Sequence, residues 1–132
     1  MEELTREKFS LIKRAQSFTH AGRGIAVFIK STHNAWIHLV VFLFVMLAGF
    51  YFGISRIEWA LLFFAAGLVL AAEAFNAAIE IDIDLTSPEY HPFARDTKDV
   101  AAGAVLIAAA TATIIGMFIF WPHLMEAVVH RL

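Results

Sequence analysis

Long apolar stretches, each ended by polar residues, divide most of the chain into candidate membrane spans. Residues 35–54 contain no charged side chain, residues 59–72 are wholly apolar, and residues 100–121 carry no charge. A transmembrane helix needs about 20 mostly apolar residues. With their flanking positions, these stretches predict three transmembrane helices, over residues 35–54, 58–82 and 98–121.

The first part of the chain has a different periodicity. Its apolar residues and one glycine recur at steps of three and four, at Phe9, Ile12, Ala15, Phe18 and Gly22. The basic residues Lys8 and Lys13 occupy other positions of the helical wheel. This pattern is typical of an amphipathic helix lying flat at a membrane interface. We expect residues 1–30 to form such a helix, either as an anchor alone or as a cover for a site. Residues 1–132 are then a single all-α integral membrane domain.

Composition supports a membrane environment. Hydrophobic residues make up 60% of the chain and charged residues 17%, whereas a soluble domain has about 25% charged residues. The formal net charge of -2 provides no basic field for nucleic acid. The absence of cysteine excludes disulfides and thiolate chemistry.

The distribution of Lys and Arg predicts the orientation. Six of these residues fall within positions 1–33, and the connection over residues 80–99 adds Arg95 and Lys98. The turn before the second span has Arg56 alone. Basic segments remain on the cytoplasmic side of membranes. We therefore expect a cytoplasmic N-terminus.

A set of polar side chains interrupts the second span. Glu73, Asn76, Glu80 and Asp84 follow one another at offsets of three, seven and eleven, which places them within about 80° of arc on one helix face. A carboxylate inside a span costs about 2.5 kcal/mol or more, so an intramembrane Glu indicates a functional site. The alternative is that Glu73 only donates or accepts a hydrogen bond between helices.

The acidic face is suited to phosphoryl transfer. Glu80 can bind Mg²⁺ together with substrate phosphates, and Glu73 can accept a proton from a lipid alcohol. Lys98, at the start of the third span, can neutralise phosphate charge. These residues alone indicate such chemistry only weakly, because the chain contains neither a P-loop nor a protein-kinase motif.

Two features of the first forty residues have structural interpretations. His38, in the first predicted span, is expected to make an interhelical hydrogen bond, with proton relay as the alternative. The glycines of Gly22-Arg23-Gly24 predict a break between the surface helix and the first span, with phosphate binding as the alternative.

The polar motifs resemble those of a known family. The E-x-x-N-x-x-x-E-x-x-x-D pattern from Glu73 and the K-D-x-A-A-G-A-V pattern from Lys98 are similar to the signature of the prokaryotic diacylglycerol kinases, which include the undecaprenol kinases. Ser17-Phe18, Gly24-Ile25 and Asn34 extend the resemblance over nearly the whole chain.

The resemblance implies a small homotrimer in the bacterial inner membrane, with active sites shared between subunits. It implies phosphorylation of undecaprenol or diacylglycerol, with ATP as co-substrate and Mg²⁺ as cofactor. It assigns Glu73 as the catalytic base, which also binds the lipid substrate with Asn76, and Glu80 as a metal ligand. The nucleotide-binding residues that it implies are Lys13, Glu80, Glu89, His91, Lys98 and Asp99.

One position departs from the family pattern. The family usually has a metal-binding Glu two residues before the Asn that matches Asn34, and this chain has Thr32 there. A threonine hydroxyl is a neutral and weaker ligand, so Thr32 is a doubtful metal site. The chain is then a working kinase with fewer carboxylate ligands, a member with altered activity, a degenerate or engineered site, or a non-catalytic membrane subunit.

Overall fold

The computed structural model describes residues 11–129, with side chains from Arg14 onward. The described chain forms four α-helices: α1 (Leu11–Ser31), α2 (His33–Phe52), α3 (Arg56–Thr86) and α4 (Pro92–Val129). The last three are long and apolar enough to cross a membrane, and no strand occurs between residues 11 and 129. The predicted all-α fold, with three membrane-spanning helices preceded by an N-terminal helix, is confirmed.

The boundary between α1 and α2 lies at Thr32. Its backbone is extended, with φ −114° and ψ 113°, whereas α1 runs without interruption through Gly22 and Gly24. The prediction of a break at these glycines is therefore wrong. Each isolated glycine costs a helix only about 1 kcal/mol relative to alanine, and neighbouring turns can offset that cost.

A tight turn joins α2 to α3. Gly53 ends α2 with φ 63°, a left-handed conformation that suits glycine. Ser55 and Glu58 then form a capping box at the start of α3: the Ser55 hydroxyl accepts the Glu58 backbone N–H at 3.3 Å, and Glu58 Oε2 accepts the Ser55 N–H at 2.7 Å. We call this region the hairpin end of the molecule.

The second and third spanning helices extend beyond the apolar stretches that predict them. α3 continues to Thr86 rather than residue 82, and α4 begins at Pro92 rather than residue 98. With 31 residues, α3 is about 46 Å long, which exceeds the roughly 30 Å hydrocarbon core of a bilayer. The polar ends of α3 and α4 therefore project beyond the apolar layer.

A cluster of buried apolar side chains lies near the hairpin end. Ile54, Leu62 and Ile119 form a buried cluster, and Gly49 lies so close to Trp59 that a Cβ atom at this position would be 2.6 Å from the indole ring. Many large apolar side chains elsewhere are exposed in the single chain. Such a surface fits contact with lipid or with neighbouring chains.

Candidate active site

Glu73 is the most deeply buried charged residue in the described chain, with 1% of its surface exposed. Its Oε1 atom lies 3.1 Å from Nε2 of His38, which projects from α2. Its Oε2 atom is buried and has no hydrogen-bond partner among the described residues. The predicted interhelical hydrogen bond of His38 is therefore present, and it leaves one carboxylate oxygen unused.

Asn76 lies one turn after Glu73 and is also buried, with 6% of its surface exposed. Its side-chain amide donates to Glu80 Oε1 at 3.0 Å. Asn76 Oδ1 is buried without a partner within the part of the chain that the structure describes. Because unpaired buried oxygens are uncommon and costly, the unused oxygens of Glu73 and Asn76 on successive turns indicate a place for a ligand.

Lys98 connects α4 to the same face of α3. Its Nζ atom donates to Asp84 Oδ1 at 2.9 Å, and Glu80 also interacts electrostatically with the Lys98 ammonium group. The four polar residues predicted on one face of α3 therefore run from a buried carboxylate to a solvent-exposed ion pair. We call Glu73, Asn76, Glu80, Asp84 and Lys98 the polar cluster.

The other predicted nucleotide-binding residues lie outside the polar cluster within the single chain. Asp99 is exposed, with its Oδ2 atom 4.0 Å from Nε of Arg95. Glu89 is exposed in the connection between α3 and α4. His91 is exposed too, and its Nδ1 atom accepts the backbone N–H of Phe93 at 3.3 Å, as a helix cap does. The side chain of Lys13 lies outside the described residues.

Thr32 uses its hydroxyl proton locally. The hydroxyl donates to the backbone carbonyl of Phe28 at 2.6 Å, and this bond accompanies the change of direction between α1 and α2. The neighbouring Ser31 lines a cavity of about 490 Å³ together with Ala77 and Ile81 of α3. The segment around Thr32 therefore lies beside the α3 turns that carry Asn76 and Glu80.

The polar cluster provides some, but not all, of the oxygen ligands that a cation such as Mg²⁺ needs. No group of three or more His, Asp or Glu side chains with metal-site geometry occurs among the described residues. The Glu80 carboxylate and the unpaired Asn76 Oδ1 are nevertheless oxygen donors on adjacent turns. Mg²⁺ usually takes one or two protein carboxylates and completes its shell with water and substrate phosphates, so these residues fit a site shared with a nucleotide.

An apolar cavity of about 460 Å³ lies between α2, α3 and α4. His38 lines one part of it, beside Glu73, and Gly116 and Phe120 of α4 line another. The remaining lining residues are almost all aliphatic or aromatic. This cavity can receive a hydrocarbon chain whose polar group lies near the His38–Glu73 pair.

Sequence reasoning missed a second His–Glu pair at the hairpin end. His123 Nε2 lies 3.3 Å from Glu58 Oε1, and the His123 ring stacks on Phe52 with a centroid distance of 5.9 Å. The S-x-x-E pattern of Ser55 and Glu58 signals the helix cap, but no local pattern links Glu58 to a residue so far along the chain.

Comparison with known proteins identifies the family. The family model described as prokaryotic diacylglycerol kinase matches residues 19–120. The chain is 40% identical over 109 residues to an undecaprenol kinase of Bacillus subtilis (strain 168), covering 83% of this chain and 89% of that protein. It is 35% identical over 114 residues to a diacylglycerol kinase of Synechocystis sp., covering 86% of this chain and 65% of that protein.

A third relative is more distant. A diacylglycerol kinase of Helicobacter pylori (strain ATCC 700392 / 26695) is 28% identical over 114 residues, which cover 81% of this chain and 89% of that protein. The family match includes α2 and α3 completely and α4 as far as residue 120, and therefore the whole polar cluster. The chain belongs to the prokaryotic diacylglycerol kinase family of lipid kinases.

Proposed function

We propose that this protein phosphorylates the hydroxyl group of a membrane lipid alcohol with ATP and Mg²⁺. The observation that carries the proposal is the Glu73 carboxylate, which is buried with one oxygen unpaired and contacts His38, a residue that lines an apolar cavity. Family membership supports the reaction class, since the relatives are named as lipid kinases. An intramembrane carboxylate with no structural need for both oxygens fits a general base.

In the proposed reaction, Glu73 accepts the proton of the lipid hydroxyl while the hydroxyl oxygen attacks the γ-phosphorus of ATP. The bond between that phosphorus and the β,γ-bridging oxygen breaks, and ADP leaves with the bonding electron pair. Asn76 binds beside Glu73 on the substrate side. Catalysis of this kind depends on positioning and on stabilising the phosphate charge.

Glu80, Asn76 and Lys98 provide the charge stabilisation in this proposal. Glu80 is the carboxylate ligand for Mg²⁺, and the free Asn76 Oδ1 is a further oxygen donor beside it. Mg²⁺ bound there would neutralise charge on the nucleotide phosphates. The exposed Lys98–Asp84 ion pair can open at little cost, so that Lys98 can pair with a phosphate instead. Lys13, Glu89, His91 and Asp99 are proposed nucleotide contacts, with Thr32 as a doubtful metal ligand.

The working enzyme in this proposal is a homotrimer in the bacterial inner membrane. Asp99, Glu89 and His91 are exposed away from the polar cluster of their own chain, so a neighbouring subunit is the simplest route by which they reach a nucleotide. The exposed apolar faces of the single chain are available for the same contacts. The N-terminus is proposed to be cytoplasmic, which puts the polar cluster on the side where ATP is found.

Undecaprenol is the favoured lipid substrate and diacylglycerol the second. The relative named undecaprenol kinase is 40% identical and covers most of both chains, compared with 35% and 28% for two relatives named diacylglycerol kinase. The apolar cavity of about 460 Å³ that His38 lines can hold part of one long hydrocarbon chain, such as that of undecaprenol.

The proposal is tested with purified protein in mixed micelles that contain undecaprenol or diacylglycerol. Transfer of the γ-phosphate to either lipid, lost when Mg²⁺ is chelated, is the expected result, with the faster rate on undecaprenol. If neither lipid is phosphorylated by protein that remains folded and oligomeric, a non-catalytic membrane subunit of the same fold is the better interpretation, and Thr32 is the first position to examine.

A further inference from the structure

We propose that His38 is a positioning residue for Glu73. Its Nε2–H holds carboxylate oxygen Oε1, so that Oε2 is the oxygen that receives the proton of the lipid hydroxyl. This inference rests on the proposed function, because it assigns a role within the same site.

The geometry restricts what the pair can do. His38 and Glu73 are 35 residues apart on different helices, with 3.1 Å between Nε2 and Oε1. The Glu73 side chain is 1% exposed and the His38 side chain 24%. A neutral imidazole with its proton on Nε2 is a donor toward Glu73. Because the Glu73 carboxylate is almost completely buried, such a hydrogen bond is stronger than it would be in water and holds the carboxylate in one orientation.

A purely structural hydrogen bond would leave Oε2 of Glu73 unexplained. That oxygen is buried and unpaired within residues 11–129, and an unsatisfied buried charged group is costly. At the hairpin end, the comparable pair of His123 and Glu58 uses both carboxylate oxygens: Oε1 with the imidazole and Oε2 with a backbone N–H. The Glu73 pair therefore differs from the Glu58 pair in its deeper burial and in its free carboxylate oxygen.

The position of His38 also links the pair to the substrate. His38 lines the apolar cavity between α2, α3 and α4, and on its other side it contacts the buried carboxylate. A hydrocarbon chain in that cavity would bring its terminal hydroxyl to this boundary. The hydrogen bond from His38 to Oε1 then leaves Oε2 facing the hydroxyl. An error of about 1 Å in the position of a catalytic group can lower the rate about 10²-fold.

Three substitutions at one position separate positioning from packing. In His38→Gln, the side-chain amide nitrogen takes the place of Nε2. In His38→Asn, the amide nitrogen takes the place of Nδ1, and the side chain is too short to reach Glu73. In His38→Leu, no hydrogen-bond donor remains. We expect kcat for lipid phosphorylation to fall about 10²-fold in the Leu and Asn variants, with KM for the lipid and for ATP within about threefold of wild type. The Gln variant should retain kcat within about tenfold.

His123→Leu is the matched control, because it removes the imidazole of the other His–Glu pair. Its kcat should remain within about twofold of wild type. The proposal is overturned if His38→Leu keeps a kcat near wild type, or if its loss appears in KM alone. It is also overturned if the Gln variant is as slow as the Leu variant, since proton transfer through the ring would then be required.

A measurement on the unmodified protein covers the case in which variants do not fold. In ¹⁵N-histidine-labelled protein, the His38 resonances are assigned by their absence from His38→Gln or, if that variant does not fold, by labelling that places ¹⁵N at His38 alone. A proton on Nε2 supports the proposal, and a bare Nε2 with the proton on Nδ1 overturns it. This readout needs no lipid turnover, so it separates a failure of the His38 assignment from a failure of the proposed kinase function.

Discussion

The two ends of the helical bundle each contain a histidine paired with a glutamate, but the pairs differ in burial and in what remains unpaired. Glu58 is about a quarter exposed, and both of its oxygens are used, one by His123 and one by the start of α3. Glu73 is almost completely buried, and one oxygen is unused. A satisfied carboxylate at a helix start stabilises a turn, whereas an unsatisfied one inside the bundle costs free energy and therefore indicates chemistry.

The largest difference between the two ends should appear when each glutamate is made neutral. Glu73→Gln should lower kcat by about 10²- to 10⁴-fold, because the general base is lost. Glu58→Gln keeps a side chain of the same size and should change kcat by less than about twofold. The measurement is γ-phosphate transfer to lipid by the two purified variants in the same micelles. A Glu73→Gln enzyme as fast as Glu58→Gln would remove the functional distinction between the pairs.

The next effect concerns Lys98, at the solvent side of the polar cluster. Lys98→Met should lower kcat/KM for ATP about 10- to 100-fold, because one positive charge near the phosphates is lost. Its ion pair with Asp84 is exposed to solvent, so the stability of the fold should hardly change. Arg56→Met is the control, since Arg56 is an exposed cation at the start of α3, at the hairpin end of the molecule. Equal kinetics for the two variants would exclude Lys98 from the nucleotide site.

The apolar cavity is tested by filling it. Gly116 lines the cavity, and a Cβ atom there would contact nothing within 4 Å. Gly116→Leu should therefore lower kcat/KM for undecaprenol by about tenfold or more, which is a loss of about 1.4 kcal/mol of transition-state stabilisation. It should affect a short prenyl alcohol less. Gly67→Leu is the control, because Gly67 is exposed and equally unobstructed on α3 but lies outside the cavity lining. Equal losses on the long and short alcohols would show that the hydrocarbon chain does not occupy this cavity.

The smallest expected effect comes from Thr32. Thr32→Glu adds a carboxylate beside the α3 turns of the polar cluster and should raise Mg²⁺ affinity or the rate about two- to tenfold. Thr32→Gln is the matched control, because it has nearly the same size as Thr32→Glu without the charge, and it should not do so. The measurement is the Mg²⁺ dependence of lipid phosphorylation. No change in either the rate or the Mg²⁺ affinity of Thr32→Glu would show that this position is not part of a metal site.

The sequence predicts the parts of the fold that depend on local patterns. The uncharged stretches indicate the three spans, because each signal lies within one continuous segment of the chain. Hydropathy does not predict the extension of α3 to Thr86, since that polar segment continues the helix outside the apolar layer. The glycines of α1 predict a break that the structure does not have, because the neighbouring helical turns outweigh the local preference of glycine.

The candidate site is predictable in its residue types but not in its pairing. The spacing of Glu73, Asn76 and Glu80 puts them on one face, and the structure shows them there. The choice of His38 as the partner of Glu73, and of Asp84 as the partner of Lys98, depends on how α2 and α4 are placed against α3. Such pairings depend on the packing of whole helices, and no local spacing determines them.

The most direct test of the account follows labelled phosphate from γ-labelled ATP into undecaprenol, with wild-type protein and the Glu73→Gln and Glu58→Gln variants side by side. The account predicts labelled lipid from wild type and Glu58→Gln, and almost none from Glu73→Gln. Label in the lipid at equal rates from all three proteins, or from none of them when all are folded, would contradict it.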